Sequence, residues 1–559
     1  MIRTLFVRAF VFWTLLFAQP ILASPGVVSS ADPRASAAGQ EILRAGGSAA
    51  DAMMAMMLAL TVVEPQSSGI GGGGFFLYHD GKTGLIGTVD GRETAPASAQ
   101  PELFLGADGH PMPFIQAFPG GKSVGVPGNI RLMERVHARW GKLAWGKIFQ
   151  PAIRLAENGY IVSGPTATLL RTVAPLWRDF PAARAIYWDG DHPKAAGATA
   201  KNPELAAVLR RIAKGGPRSF YYGQTARSIT TAVSGAARNP TQLTMADLAG
   251  YRVVDRAALC RPYRQFKVCG MGPPSSGATT ILQMLGMLER FDMKALGPDN
   301  AVSWHLIAEA MFLGYADREK YLGDPDFVQV PIAGLLDPAY VRARSALISQ
   351  TTSLAKYEAG TPPGALPRTA AISSEVAGTT HFVAVDSSGN IASMTSTVEG
   401  PFGSQIVAEG MVLNNELTDF TFAPVKDGAP VANAVAAGKR PLSSMSPTIV
   451  YGPDGKVILA LGSAGGKRII MHVMKALVGV LDWGLPAKEA LGLPNIYMGG
   501  DAVLVEQGTK LAAMQADLAR LGRTVVASDL PSKLTAIERT SAGWRGAVDP
   551  RSKGEALSE

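Results

Sequence analysis

The chain has 559 residues, of which 47% are hydrophobic and 18% are charged. This composition is typical of a globular protein with a large core, and its evenness along the chain favours one large domain or two interleaved halves. The formal net charge is +8, but the basic residues are scattered and only 7% of residues are aromatic. The composition therefore argues against a nucleic-acid-binding protein.

The N-terminus has the pattern of a secretory signal peptide. Arg3 and Arg8 precede an apolar run at 9–22, which ends at the small residue Ala23. The alternative is an uncleaved membrane anchor, but a spanning helix needs about 20 apolar residues and this run is shorter and interrupted. We expect residues 1–23 to be removed and the protein to be exported, to the periplasm or beyond.

Two segments with helical character follow, at 31–63 and 302–321. The apolar stretch 52–63 within the first is too short to span a membrane and predicts a buried core helix. Between the segments lies a glycine run at 69–74. This run lacks the Lys-Ser/Thr of a phosphate loop and the acidic sequel of a dinucleotide site. We favour a structural role for it in close backbone packing.

Cysteine and histidine are sparse. Cys260 and Cys269 flank a short extended segment, which fits either a hairpin disulfide or two free thiols. The seven histidines, including His381 and His472, form no HExxH or other paired metal spacing. We expect no metal and no cofactor.

Thr379 begins a predicted β-hairpin. An apolar stretch, a turn cluster around Gly389 and a second extended stretch follow it. This turn places Thr379 opposite Thr397 and Val398, within cross-strand reach. A threonine hydroxyl is a weak nucleophile without a base, and the nearest possible base is its own α-amino group. That amine exists only if the Gly378–Thr379 bond is cut. The pattern permits a self-cleaving junction, and the alternative is two threonines that simply begin a strand.

Three further patterns have both a chemical and a structural interpretation. Arg92 follows a turn-like pair and is either a carboxylate clamp or a surface arginine. Glu416 and Asp419 meet one ammonium group if their segment curls, or are solvated acids of a turn. Gly465 and Gly466 separate a predicted strand from a predicted helix, where bare N–H groups form an oxyanion hole or an ordinary turn.

Many segments, in order, resemble γ-glutamyltransferases. Those in the N-terminal half are GIGGGGF at 69–75, GRE at 91–93, VPG at 126–128, PPSSG at 273–277 and YADR at 315–318. Those in the C-terminal half are the stretch 379–403, LNNELTDF at 413–420, KRPLSSMSP at 439–447, GSAGG at 462–466 and DPR at 549–551. The resemblance covers nearly everything after the first thirty or so residues.

The resemblance implies the α+β fold of N-terminal nucleophile hydrolases, a four-layer αββα sandwich. It implies two interleaved subunits cut from one precursor, a large one at 24–378 and a small catalytic one at 379–559. The sequence pattern agrees in outline: strands are predicted around 379–397 and 447–461, and helices near 469–481 and 511–521.

The resemblance also assigns roles to residues of the pattern. Thr379 corresponds to the nucleophile, Thr397 to the hydroxyl beside it, and Gly465 and Gly466 to the oxyanion hole. The substrate zwitterion would be bound by an arginine on its α-carboxylate, by acids on its α-amino group and by two hydroxyl donors; these residues are Arg92, Glu416, Asp419, Ser443 and Ser444.

Two departures from the family affect the expected specificity. Glu399 stands where the family usually has asparagine, and a carboxylate there would attract the substrate ammonium but repel its carboxylate. The segment between Phe420 and Lys439 is shorter than a full active-site lid and contains no Tyr or Trp, so we expect only a partial cover.

Three functional hypotheses follow. The first is an exported γ-glutamyl hydrolase or transferase acting on glutathione-like amides, with water, amino acids or peptides as acceptors and no nucleic-acid partner. The second is a relative of the β-lactam side-chain acylases, which Glu399 and the short cover permit. The third is a processed but inactive binding protein, against which the intact Thr379, Thr397, Gly465 and Gly466 argue.

Overall fold

The computed structural model describes residues 25–372, 376 and 378–559. The predicted signal peptide at 1–23 lies outside the described residues. Short 3-10 turns occur at Gly121–Ser123, Leu176–Asp179 and Glu416–Asp419.

The strands are, in chain order, β1 (Val27–Ser30), β2 (Gly73–His79), β3 (Ile86–Asp90), β4 (Tyr160–Ile161), β5 (Trp188–Asp189), β6 (His192–Pro193), β7 (Thr199–Ala200), β8 (Leu259–Tyr263), β9 (Phe266–Gly270), β10 (Thr379–Val385), β11 (Ile391–Thr397), β12 (Val407–Ala408), β13 (Met411–Val412), β14 (Val425–Lys426), β15 (Ala429–Pro430), β16 (Thr448–Tyr451), β17 (Val457–Gly462), β18 (Ile496–Gly499), β19 (Ala502–Glu506), β20 (Val525–Ser528), β21 (Thr535–Thr540), β22 (Gly543–Val548) and β23 (Glu555–Ser558).

The helices are α1 (Pro33–Arg44), α2 (Ala49–Val63), α3 (Phe114–Ala117), α4 (Asn129–Trp140), α5 (Trp145–Ile148), α6 (Gln150–Asn158), α7 (Gly164–Val173), α8 (Pro181–Tyr187), α9 (Pro203–Gly215), α10 (Arg218–Tyr221), α11 (Gly223–Ser234), α12 (Met245–Gly250), α13 (Gly277–Leu288), α14 (Met293–Leu296), α15 (Ala301–Tyr321), α16 (Ile332–Leu335), α17 (Pro338–Ala346), α18 (Arg468–Leu481), α19 (Ala487–Gly492), α20 (Lys510–Ala513) and α21 (Gln515–Arg520).

Two six-stranded sheets organise this mixed α/β chain. The first sheet has the order β23-β1-β10-β11-β2-β3, and the second has the order β22-β21-β17-β16-β9-β8. Strand β10 of the first sheet contacts β17 and β21 of the second. The hairpin that starts at Thr379 therefore lies in the middle of one sheet and packs against the other.

Strand β10 buries both of its faces. Because successive side chains of a strand point to opposite sides, Phe382 and Ala384 join a core that contains α2. Val383 and Val385 join the core that the first sheet shares with the second and with α13, α15 and α18. This two-sided burial explains the unbroken apolar character of residues 382–385.

Helix α2 is the predicted core helix, because every one of its residues is buried. It is capped by Ser48, whose side chain accepts from the Asp51 N–H while the Asp51 side chain accepts from the Ser48 N–H. Of the helices within the described ranges, none is both long enough and apolar enough to cross a membrane.

The other predicted elements match with one exception. The segment 302–321 is α15, 447–461 contains the antiparallel pair β16 and β17, and 469–481 is α18. The predicted helix at 511–521 is wrong as a single element, because the chain turns at Met514 and forms the short helices α20 and α21.

The two cysteines form a disulfide. Cys260 on β8 and Cys269 on β9 are directly opposed partners with 4.1 Å between their Cα atoms. The bond therefore closes the hairpin at an edge of the second sheet, away from the Thr379 hairpin, and resolves the choice between a disulfide and two free thiols.

Candidate active site

The two threonines of the predicted hairpin are cross-strand partners. Thr379 pairs with Thr397 in the β10–β11 register, and the Thr379 hydroxyl lies 3.4 Å from the Thr397 hydroxyl oxygen. The Thr397 hydroxyl donates to the Gly378 carbonyl oxygen over 2.8 Å. The register prediction is confirmed, and the Thr397 hydroxyl contacts both sides of the Gly378–Thr379 bond.

The glycine run allows neighbouring main chains to approach this hairpin closely. Strand β2 pairs with β11, and a Cβ atom on Gly72 would collide with the Thr397 carbonyl oxygen. A Cβ on Gly71 would collide with the Val412 carbonyl oxygen in the same way. The predicted role in close backbone packing is confirmed.

Arg92 follows β3, and its side chain is completely buried. Its guanidinium donates to Glu416, to Asp419 over 2.6 Å, and to the Leu442 carbonyl oxygen over 2.8 Å. Burial alone would lower the pKa of Arg92, but the carboxylates of Glu416 and Asp419 outweigh it and raise the pKa above its ordinary value. Arg92 is therefore a permanent cation.

Glu416 and Asp419 lie on one 3-10 turn, so the segment does curl and both carboxylates reach a single cation. That cation is Arg92, the residue that the resemblance assigns to a substrate carboxylate. The turn is held by Asn414, whose side-chain oxygen accepts from the Glu416 N–H over 3.1 Å. The predicted carboxylate-binding and amine-binding groups are thus in direct contact with each other.

Ser443 and Ser444 lie in the loop that leads to β16. The Ser444 hydroxyl oxygen accepts from the Arg318 guanidinium over 2.8 Å. Arg318 also donates to the Ser276 hydroxyl over 2.8 Å, and Ser276 in turn donates to the Ser443 carbonyl oxygen over 2.7 Å. The buried Arg318 therefore holds in place the loop that carries Ser443 and Ser444, the serine loop.

Arg318 received no role from the sequence, although it belongs to the segment YADR. The available signal was its place in α15, where it is buried among apolar residues. An arginine is almost never fully buried unless it is paired, so an arginine inside a core helix indicates a polar partner contributed by another part of the fold.

Gly465 and Gly466 form the link between β17 and α18, with φ angles of +134° and +58°. Left-handed backbone of this kind favours glycine. His472 packs against Gly465, and its Nδ1 lies 3.0 Å from the Ser463 hydroxyl oxygen. Burial lowers the pKa of His472 well below its usual range. A neutral histidine, to which the sequence pattern assigned no role, therefore supports the glycine pair.

Glu399 is also buried at this site and has a φ of +77°. One of its carboxyl oxygens accepts from the Val376 N–H over 2.7 Å, and the other accepts from the Asn415 side-chain amide. Burial raises the pKa of Glu399 well above its usual range, and the neighbouring Asp419 raises it further.

Glu93 is a second buried acid that the sequence did not single out. It follows Arg92 directly and is fully buried. Burial raises the pKa of Glu93 to about 8, against the opposing charge of Arg92. A buried arginine at position 92 needs acidic partners nearby. This need was the available indication that an adjacent acid such as Glu93 belongs to the site.

A small, partly open cavity of about 10 Å³ brings these groups together. Its lining contains every predicted site residue except Gly465, which directly precedes a lining residue; the lining consists of Arg92, Val376, Thr379, Thr397, Glu399, Glu416, Asp419, Ser443, Ser444, Met445, Gly466 and Ile469. Among the described residues that line it, none comes from 421–442. In that stretch the chain forms the small β14–β15 hairpin, with Val425 exposed.

Comparisons with known proteins agree on the family of this chain. A family model described as Gamma-glutamyltranspeptidase matches residues 35–558. The glutathione hydrolase proenzyme of Escherichia coli K12 is 36% identical over 547 residues, which cover 96% of this chain and 92% of the relative. The acylase ACY 1 proenzyme of Pseudomonas sp. SE83 is 36% identical over 523 residues, with 91% and 89% covered.

A solved structure, that of a cephalosporin acylase from Bacillus halodurans, superposes with a TM-score of 0.85 at 26% identity, over 98% of this chain and 99% of the other. The family match over nearly the whole chain agrees with the resemblance drawn from the motifs. The chain belongs to the γ-glutamyltranspeptidase family.

Proposed function

We propose that this protein is an exported γ-glutamyl hydrolase and transferase that cleaves the γ-glutamyl amide bond of glutathione and related donors. The observation that carries the proposal is the cavity in which the Thr379 and Thr397 hydroxyls meet Arg92 and its two acids. The name of the Escherichia coli relative, a glutathione hydrolase proenzyme, supports both the substrate class and a processed precursor.

Maturation cuts the chain between Gly378 and Thr379. The Thr379 hydroxyl attacks the Gly378 carbonyl carbon, the acyl group moves to oxygen, and water releases a new amino terminus. The products are a large subunit at 24–378 and a small catalytic subunit at 379–559. Strands from both parts are neighbours in the first sheet, since β1 of the large part lies between β10 and β23 of the small part. This arrangement supports interleaved subunits in a four-layer αββα sandwich.

Turnover then uses the free α-amino group of Thr379 as the base for its own hydroxyl. The hydroxyl attacks the γ-carbonyl of the donor, and the amine leaving group departs to give a γ-glutamyl ester. Backbone N–H groups at Gly465 and Gly466 stabilise the oxyanion. Water or an amino-acid acceptor takes the acyl group from the ester.

The donor zwitterion is bound by groups of both signs. Its α-carboxylate is recognised by Arg92 with the Ser443 and Ser444 hydroxyls, and its α-ammonium by Glu416 and Asp419. Because Arg92 already bonds both acids, a bound zwitterion exchanges these contacts for its own rather than meeting isolated charges.

The second candidate is an acylase that removes a glutaryl-type side chain. The name of the Pseudomonas relative, an acylase, favours it. The buried Glu399 also favours it, because its carboxyl group bonds Asp419, an acid proposed to bind the α-ammonium that a glutaryl side chain lacks.

Parallel assays of γ-glutamyl anilide and glutaryl anilide separate the two candidates, because the glutaryl compound lacks only the α-amino group. We expect faster turnover of the γ-glutamyl compound, and a preference for the glutaryl compound would establish the acylase. Thr379→Ala is the inactive control. Thr380→Ser is the matched neighbour, because the Thr380 hydroxyl bonds Glu64 and lies outside the cavity lining.

A further inference from the structure

Glu399 adopts a backbone conformation that is unfavourable for glutamate. Its φ of +77° lies in the left-handed region, which asparagine enters more readily than glutamate does. The asparagine that the family usually has here would fit this backbone better. Any structural advantage of glutamate at this position therefore comes from its longer side chain.

That side chain reaches the segment that precedes the scissile bond. Its carboxyl group accepts the Val376 N–H over 2.7 Å and is held from the other side by the Asn415 amide. Val376 lies two residues before the Gly378 carbonyl and lines the cavity. An asparagine at 399 is one methylene shorter and cannot span the same two contacts.

The main chain of Glu399 also contacts the Gly378–Thr379 bond, through the Thr397 hydroxyl. Its N–H donates to the Thr397 hydroxyl oxygen over 2.7 Å, and that hydroxyl donates to the Gly378 carbonyl oxygen over 2.8 Å. Any residue at 399 with this backbone can make the main-chain contact. Only the side-chain contact with Val376 depends on the glutamate.

We infer that the Glu399 side chain is a positioning residue for self-cleavage: by holding Val376, it keeps the Gly378 carbonyl carbon in front of the Thr379 hydroxyl. The inference rests on the proposed maturation. In that step the Thr379 Oγ1–Gly378 C bond forms, the C–N bond breaks and the hydroxyl proton passes to the Thr379 nitrogen. Water then splits the ester into the Gly378 carboxylic acid and the free Thr379 hydroxyl.

The contact between Glu399 and Val376 can be removed by substituting Val376, which leaves the mature small subunit unaltered. Val376→Pro deletes the N–H donor, and Val376→Ala keeps it and serves as the matched control. Precursor purified at low temperature is warmed, and the uncut chain is followed on denaturing gels. We expect Val376→Pro to mature about ten-fold more slowly than Val376→Ala, the effect of one lost hydrogen bond to a carboxyl group. Equal rates would overturn the inference.

The contact can also be removed from the glutamate side. Glu399→Asn keeps the backbone contact to Thr397 but loses Val376, and we expect a similar ten-fold delay. Glu399→Gln retains an oxygen within reach of Val376 and should mature at least three-fold faster than Glu399→Asn. A Gln variant as slow as the Asn variant would contradict the inference. Glu409→Asn is the control, because Glu409 also has a positive φ (+48°) but pairs with Arg211 outside the cavity.

A double variant separates the contact from other effects of each substitution. If Glu399 acts through Val376, Glu399→Asn should add no further delay in the Val376→Pro background. Full additivity would overturn the inference. The gel reads chain cleavage without any donor, so a wild-type chain that never cuts contradicts the proposed function, whereas a wild type that cuts no faster than Glu399→Asn contradicts only the role of Glu399.

Discussion

The Thr379 and Thr397 hydroxyls face each other across the β10–β11 hairpin, with 3.4 Å between their oxygen atoms. The Thr397 hydroxyl also donates to the carbonyl oxygen of Gly378, the residue before the proposed nucleophile. One side chain is therefore placed to orient the attacking oxygen and to polarise the carbonyl that it attacks.

Removal of the Thr397 hydroxyl should slow the chemistry without unfolding the chain. We expect Thr397→Ala to lose about 10 to 100-fold in kcat on γ-glutamyl anilide, at about 1.4 kcal/mol per factor of ten. Thr397→Ser restores a hydroxyl at the same position and should recover most of the rate. An unchanged kcat in Thr397→Ala would show that the hydroxyl pair has no role in turnover.

Arg92 should affect both binding and stability. Arg92→Ala leaves the Glu416 and Asp419 carboxylates buried without their cation, which costs about 3–5 kcal/mol when one partner of a buried ion pair is removed. It should also raise KM strongly. Arg92→Lys keeps the charge, so it should restore most of the lost stability. It should restore less of the KM, because lysine cannot make a bidentate contact with a carboxylate. Equal recovery of KM by lysine would argue against recognition of a carboxylate by the guanidinium.

Glu399 should weaken the binding of γ-glutamyl donors in the mature enzyme, because its carboxyl group bonds Asp419, an acid proposed to bind the donor α-ammonium, and so competes with the donor. We expect Glu399→Asn to lower KM for γ-glutamyl anilide when rates are expressed per matured site. The same substitution should delay maturation, so its two effects have opposite signs. Identical kinetics per matured site would show that the Glu399 carboxyl group does not act on the donor.

Glu93 should make stability depend on pH. Burial raises its pKa to about 8 from 4.5, so the folded protein holds a proton that the unfolded chain releases. This contribution is complete below pH 4.5 and is lost as pH rises through 8, at up to about 1.4 kcal/mol per pH unit.

Glu93→Gln removes that proton exchange. Melting temperatures at pH 5.5, 7 and 8.5 should show the variant gaining on the wild type as pH rises. The exposed Glu102 provides the control substitution Glu102→Gln. A parallel pH dependence of the Glu93 variant and the wild type would mean that Glu93 does not titrate over this range.

The hairpin and its register were predictable because their determinants are local. The apolar stretch, the turn cluster at 386–390 and the second strand lie within twenty residues of one another, and turn position decides which residues are opposed. The buried helix α2 was predictable for the same reason, since its composition alone requires burial. The break at Met514 was not, because no glycine or proline marks it.

The support of the site was not predictable from local pattern. The contact of Arg92 with Glu416 spans 324 positions, and that of Arg318 with Ser444 spans 126. Such pairs depend on how the sheets and helices pack. The motifs named most residues of the cavity, but neither Arg318 beneath the serine loop nor the pairing of Arg92 with its acids follows from spacing.

The mass of the purified protein tests the central claim most directly. Intact-mass analysis should find two chains, one ending at Gly378 and one comprising residues 379–559, and Thr379→Ala should remain a single chain without turnover. A fully active wild-type protein that is a single uncut chain would contradict the account, because the Thr379 amine that activates its hydroxyl would then not exist.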